Sequence, residues 1–212
     1  MPKEKFNILE TTCVPLPLEN IDTDQIIPAR FLNATSREGF GDNLFRDWRY
    51  DDSGSINEAF VLNDPRYKGE VLVAGKNFGC GSSREHAVWA VAGYGFRAVV
   101  SSFFADIFRN NALNNGLLPV TVPEDYLNNL LRIVSDNPDT RVRIDLEKQI
   151  FSVLPDGDSV EFDIDPYRKE CLLKGIDDVD YLVSIRDIIK AYELRNTLRY
   201  ENRDNGHHPE GW

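Results

Sequence analysis

The stretch Glu70-Val71-Leu72-Val73-Ala74-Gly75-Lys76-Asn77-Phe78-Gly79-Cys80-Gly81-Ser82-Ser83-Arg84-Glu85-His86-Ala87 decides how the chain is read. Val71-Leu72-Val73-Ala74 is an apolar run too short for a helix, which predicts a buried strand. A glycine-rich turn follows, and a helix is predicted from about Ser83 to Ala92. Ser82 and Glu85 have the S-x-x-E spacing of a capping box, which places the helix start. A loop that leads from a buried strand into a helix is the usual ligand position in an α/β fold.

The same alternation continues downstream. Ala98–Ser101 reads as a second strand and Ala105–Asn114 as a helix. Leu117–Val120 reads as a third strand and Asp125–Val134 as a helix. This order argues for an α/β layer with parallel pairing. Residues 141–146, 150–154 and 160–164, separated by turns at Glu147-Lys148 and Asp156-Gly157-Asp158, predict an antiparallel meander. Upstream, the apolar opening at Phe6, Ile8 and Leu9 runs into an extended, proline-interrupted segment, Val14-Pro15-Leu16-Pro17-Leu18. Residues 31–65 are aromatic but aperiodic, as expected of a binding loop. The tail from Val179 to Leu198 places Tyr181, Leu182, Ile185, Ile188, Ile189 and Tyr192 at helical spacing, predicting one amphipathic helix.

Composition limits the function. The chain has 212 residues, 42% of them hydrophobic, enough for one domain with a real core. A formal net charge of −11 opposes nucleic-acid binding, yet a small carboxylate needs only a few local cations. The opening residues lack the apolar core of a secretory signal, and no apolar run is long enough to span a bilayer. Cys13, Cys80 and Cys171 are isolated from one another, which suggests reduced thiols in a cytoplasmic protein and no metal cassette.

The chemistry of the loop points to an anion. Gly79 and Gly81 expose backbone N–H groups at a helix start, where dipole and donors favour negative charge. Arg84 adds a planar cation suited to gripping a carboxylate, and Ser82 and Ser83 place hydroxyls in that field. The pattern lacks the lysine of a Walker A loop, the third glycine of a dinucleotide fingerprint and the G-x-S-x-G elbow of hydrolases. A Cys80/His86 nucleophilic pair stays open, with His86 otherwise a packing residue. The residues thus predict carboxylate binding beside a proton transfer.

At this point a resemblance becomes specific. Asn77–Ala87 is similar to the signature of the swivel domain of the aconitase superfamily, in the form with Cys80 that resembles the small subunits of 3-isopropylmalate dehydratases. Ile21-Asp22-Thr23-Asp24-Gln25-Ile26-Ile27-Pro28 resembles the family's second signature, and Gly39-Phe40-Gly41, Leu44-Phe45, Asp47-Trp48-Arg49 and Phe104–Phe108 extend the likeness. The resemblance implies a swivelling β/β/α layered domain over residues 1–192, with 31–65 as substrate-recognition loop and 193–212 as a helical, polar C-terminal tail. It implies a hydro-lyase that isomerises 2-isopropylmalate and 3-isopropylmalate in leucine biosynthesis, active only as a heterodimer with a large subunit.

The resemblance also assigns roles. Ser82 matches the base that takes and returns the carbon-bound proton. Ser83 and Arg84 match substrate-carboxylate ligands, and Asp24 matches the supporting aspartate of Thr-Asp-x-Ile. Arg30 and Arg37 are alternatives for a second carboxylate, and Asp22 is either functional or an Asx cap. Departure of hydroxide calls for a Lewis acid. The resemblance puts this in a [4Fe–4S] cluster of the large subunit, with no cofactor held by this chain. Phe31, Leu32, Phe40, Leu44, Phe45 and Trp48 have two roles open to them, lining an apolar pocket or anchoring the loop. A homoaconitate or methylmalate-type small subunit and a non-catalytic anion-binding module are the rival readings.

Overall fold

A computed structural model describes residues 4–33, 36–155 and 157–204, with the side chains of 197–204 outside the description. Strands are β1 (Ile8–Leu16), β2 (Val71–Ala74), β3 (Ala98–Ser101), β4 (Leu118–Thr121), β5 (Arg141–Asp145), β6 (Ile150–Val153) and β7 (Ser159–Glu161). Helices are α1 (Thr23–Ile26), α2 (Arg46–Arg49), α3 (Glu85–Tyr94), α4 (Asp106–Asn114), α5 (Glu124–Asp136), α6 (Pro166–Lys174), α7 (Asp178–Ser184) and α8 (Arg186–Asp204). The described chain divides after Gly175 into two units.

The first unit is a mixed α/β layer on one seven-stranded sheet of order β4-β3-β2-β1-β5-β6-β7. Strands β1 to β4 run parallel and β1, β5, β6 and β7 run antiparallel, so both predicted halves are present. Strand β1 is the hinge between them. Its first part, Ile8–Thr12, pairs with β5, and its second, Cys13–Leu16, pairs with β2. Pro15 is tolerated in this central strand because β5 no longer covers the stretch where its N–H is missing.

The period-2 pattern of β2 distributes two cores. Val71 and Val73 face one core with Leu127, Leu130 and Val134 of α5, whereas Leu72 and Ala74 face another with Ala87, Val88 and Val91 of α3. The parallel half is therefore covered on both faces, which is why its strands read as continuous apolar runs. Cys13 and Cys171 are buried in this packing.

The described part of segment 31–65 contains short turns of helix, and Phe40 and Phe45 anchor it. Phe40, Leu44 and Phe45 are buried against α3 and β2. Phe45 adopts a left-handed backbone (φ 47°) that a bulky residue rarely takes. Its ring stacks on Trp48 at 5.3 Å, and its N–H donates to the Ile26 carbonyl at 2.9 Å, which together hold it there. Gly41 meets Gly93 of α3 backbone to backbone, and a Cβ at Gly41 would stand 2.2 Å from the Gly93 carbonyl carbon.

Three expectations are corrected. Helix α6 goes beyond the predicted elements: Asp165 caps it by accepting from the Arg168 N–H, and Pro166 opens it. The predicted single tail helix is two, interrupted at Ile185, where the Ser184 hydroxyl bonds back to the Tyr181 carbonyl at 2.7 Å. Helix α3 begins at Glu85, not Ser83. His207 and His208 of the polar tail lie outside the described residues.

The Gly41–Gly93 contact gives a direct test. Gly41→Ala is expected to lower the urea unfolding free energy by about 1–3 kcal/mol through overpacking, with the m-value unchanged.

Candidate active site

The site forms where three loops leave the carboxyl ends of parallel strands, the position expected of ligand sites in such sheets. The loop after β1 is tied to the loop after β2 by the Asn20 N–H on the Lys76 carbonyl (2.8 Å) and the Asn77 side-chain amide on Asn20 Oδ1 (2.8 Å). The loop after β3 joins them through the Phe78 N–H on the Phe103 carbonyl and the Ala105 N–H on the Phe78 carbonyl, both 3.2 Å.

Within this frame Gly79 donates its N–H to the Ile21 carbonyl at 2.8 Å, and Cys80 donates to the same oxygen at 3.2 Å. These two amides are therefore not free for an anion, which corrects the expectation for Gly79. Gly79 has φ 76°, and a Cβ there would lie 2.3 Å from the Phe108 ring, so both conformation and space require glycine. Its role is close packing.

The capping box moves as well. Arg84 is the N-cap residue of α3, in extended conformation (φ −123°, ψ 105°), and no side chain caps the helix. Ser82 is thus not a cap. Glu85 is instead engaged sideways: its Oε1 accepts from Asn115 Nδ2 (3.0 Å), the Trp89 indole (3.2 Å) and Arg37 Nη2 (3.4 Å). The real capping box is Asp22–Gln25, where Asp22 Oδ1 accepts from the Gln25 N–H and Gln25 Oε1 accepts from the Asp22 N–H, both 2.8 Å. Asp22 is therefore the Asx cap of α1.

Helix α1 brings its next two residues to the loop. The Thr23 N–H donates to the Cys80 carbonyl at 2.9 Å, and the Thr23 hydroxyl donates to the Ser82 carbonyl at 2.9 Å. Asp24 forms an ion pair with Arg84 through Oδ1 and Nη1, with the arginine side chain 17% exposed and the aspartate about half exposed. Ser82 and Ser83 are exposed. Ser82, Ser83, Arg84 and Asp24 are thus gathered at one tip.

The two further arginines differ in company. Arg37 lies over the Trp89 ring at 4.8 Å and reaches Glu85, so it is attached to α3 next to Arg84. Arg30 pairs with Asp47 (Nη1 to Oδ2, 3.0 Å) in a cleft of about 550 Å³ with Arg46 and Tyr50. The hydrogen bond from Arg30 holds the Asp47 carboxyl below its ordinary range.

Cys80 is half-buried, and desolvation, followed by the neighbouring Asp22 charge, pushes its thiol above the ordinary range. Since the thiolate is the nucleophile, this environment works against a Cys80/His86 pair. His86 packs between Phe40 and Trp89, with ring centroids 5.7 and 4.5 Å away.

This sheet and tip define a class. A family model described as the aconitase C-terminal domain matches residues 3–125, and a second, LeuD_N, matches residues 128–166. A protein of Christiangramia forsetii named 3-isopropylmalate dehydratase small subunit is 57% identical, covering 91% of this chain and 94% of its own. One of the same name from Cytophaga hutchinsonii is 56% identical, covering 90% and 94%. The crystal structure of 3-isopropylmalate dehydratase (leuD) from Methanocaldococcus jannaschii aligns with TM-score 0.60 and 30% identity, over 88% of this chain and 99% of that one. The domain is of the aconitase swivel type. More narrowly, the chain belongs to the family of 3-isopropylmalate dehydratase small subunits.

Sequence reading missed Thr23, whose only signal was its place inside the Thr-Asp-x-Ile motif, and it assigned Glu85 to the wrong bond. The raised Cys80 thiol is testable. Because the thiol is favoured over the thiolate, the rate–pH curve for Cys80 alkylation is expected to be displaced to higher pH than that of an unperturbed thiol. Asp22→Asn, which removes a negative neighbour, is expected to shift it back down, as followed by intact-mass spectrometry.

Proposed function

We propose that this chain, as the small subunit of a 3-isopropylmalate dehydratase, joins a large subunit in a heterodimer that interconverts 2-isopropylmalate and 3-isopropylmalate. The observation that carries the reading is the tip at which exposed Ser82 and Ser83 adjoin a mostly buried Arg84 that Asp24 holds.

The reaction removes a proton from a carbon beside a carboxylate and expels hydroxide from its neighbour. Ser82 Oγ takes the proton and later returns it to the adjacent carbon. Its alkoxide is stabilised by the Arg84 cation and by the open first turn of α3. Asp24 engages Arg84 through Nη1. A guanidinium has five N–H donors, so others remain for a substrate carboxylate. Ser83 adds a hydroxyl to that carboxylate. We assign the second carboxylate to Arg37, which Glu85 and Trp89 hold beside α3, whereas Arg30 is engaged by Asp47.

The described residues do not fit a metal cluster. Cys13 and Cys171 are buried, Cys80 stands in the site loop, and no group of three His, Cys, Asp or Glu suited to a metal occurs among the described residues. We therefore assign the [4Fe–4S] cluster, which supplies Lewis acidity toward the departing hydroxide, to the large subunit. We assign the protein to the cytoplasm, since the separated cysteines of the sequence suit a reducing compartment.

An anaerobic assay tests the reading. The chain alone is expected to be inactive on 3-isopropylmalate, and active with a cluster-loaded large subunit. Arg84→Lys in the complex is expected to lower kcat/KM by about 10- to 100-fold, the loss of a charged bidentate contact. Turnover by the lone chain, or an unaffected lysine variant, contradicts it.

A further inference from the structure

We propose that Thr23 is the positioning residue for Ser82: its buried hydroxyl fixes the Ser82 peptide and so aims the serine Oγ. This rests on the reading of Ser82 as the base.

The loop from Gly79 to Arg84 belongs to neither β2 nor α3, and Gly81, immediately before Ser82, sits at φ 87°. A glycine joint allows the next peptide to swing, so Ser82 needs a restraint from outside the loop. Thr23 supplies it. The residue is 2% exposed, and its Oγ donates to the Ser82 carbonyl at 2.9 Å across 59 residues of sequence. Thr23 is the first residue of α1, with no preceding helical turn to bond back to, and its hydroxyl reaches the other loop.

Thr23 is itself immobilised. Its N–H donates to the Cys80 carbonyl (2.9 Å), its carbonyl accepts from the Ile27 N–H (3.0 Å), and Asp22 caps the helix it opens. A β-branched side chain has few rotamers, so the hydroxyl is carried on a stiff arm. Thr23 and Asp24 thus hold consecutive targets: the first fixes where the serine points and the second fixes the arginine two residues later.

The test uses the assembled complex with its large subunit. Thr23→Val keeps the shape and removes the hydroxyl; it is expected to lower kcat about tenfold or more, as misaimed reacting groups do, with KM within about twofold. Thr23→Ser, which restores the hydroxyl, is expected to recover most of the loss. Should valine disturb the fold, as read by circular dichroism and thermal unfolding, Thr23→Ala against Thr23→Ser isolates the hydroxyl instead. Equal kcat for the members of either pair overturns the proposal, as does a loss expressed wholly in KM. Ser82→Ala is the reference: if it keeps full turnover, the base assignment fails. If it is inactive while Thr23→Val is normal, the positioning role alone fails.

Discussion

The cross-tie between helix α1 and the β2–α3 loop is the constraint on which the site depends. Three contacts from the helix span it, the Thr23 N–H to Cys80, the Thr23 hydroxyl to Ser82 and Asp24 to Arg84, and the Ile21 carbonyl just before the helix adds two more by accepting from the Gly79 and Cys80 amides. Neither segment could hold the geometry alone. Helix α1 is a single turn, far below the length at which a helix is stable by itself, and the loop contains two glycines at positive φ. Each stiffens the other, and the sheet beneath sets their separation because β1 and β2 are paired neighbours in parallel register.

Segment 31–65 extends the same support. Phe45 ties back to Ile26 at the end of α1, and Gly41 rests directly on Gly93 of α3, so the segment docks against both partners of the cross-tie. Arg37 comes from that segment and is met by Glu85 and Trp89 from the helix. Its side-chain neighbours on α3 also serve as its support, which links packing to the placement of charge.

Much of this was legible in the chain. The strands at 71–74 and 98–101 are readable because burial on both faces leaves only apolar residues, and the meander is readable from its turns. The signature loop could be located from spacing alone. What could not be read were the bonds chosen among equivalent partners. Ser82 and Glu85 have capping spacing, yet the three donors around Glu85, two of them from the C-cap of α4 and the 31–65 segment, pull it sideways. Asp22 and Gln25 at the same spacing do form the box. The Gly79 amide looks free in sequence and is occupied by a carbonyl 58 residues earlier in the chain. Such choices are tertiary, and local propensity carries no trace of them. The break at Ile185 is of the same kind, since the helical spacing of apolar residues continues across it.

A net charge of −11 does not prevent two cations from standing close together: Arg84 at the start of α3 and Arg37 beside that helix are each held by a carboxylate, Asp24 and Glu85. What the account requires above all is that proton transfer at carbon runs through this chain. Incorporation of the carbon-bound deuterium of labelled 3-isopropylmalate into the adjacent carbon of 2-isopropylmalate, followed by NMR with the assembled complex in ordinary water, reports that step. The account predicts incorporation with the wild-type chain and none above background with Ser82→Ala. Undiminished incorporation with the alanine variant would contradict it.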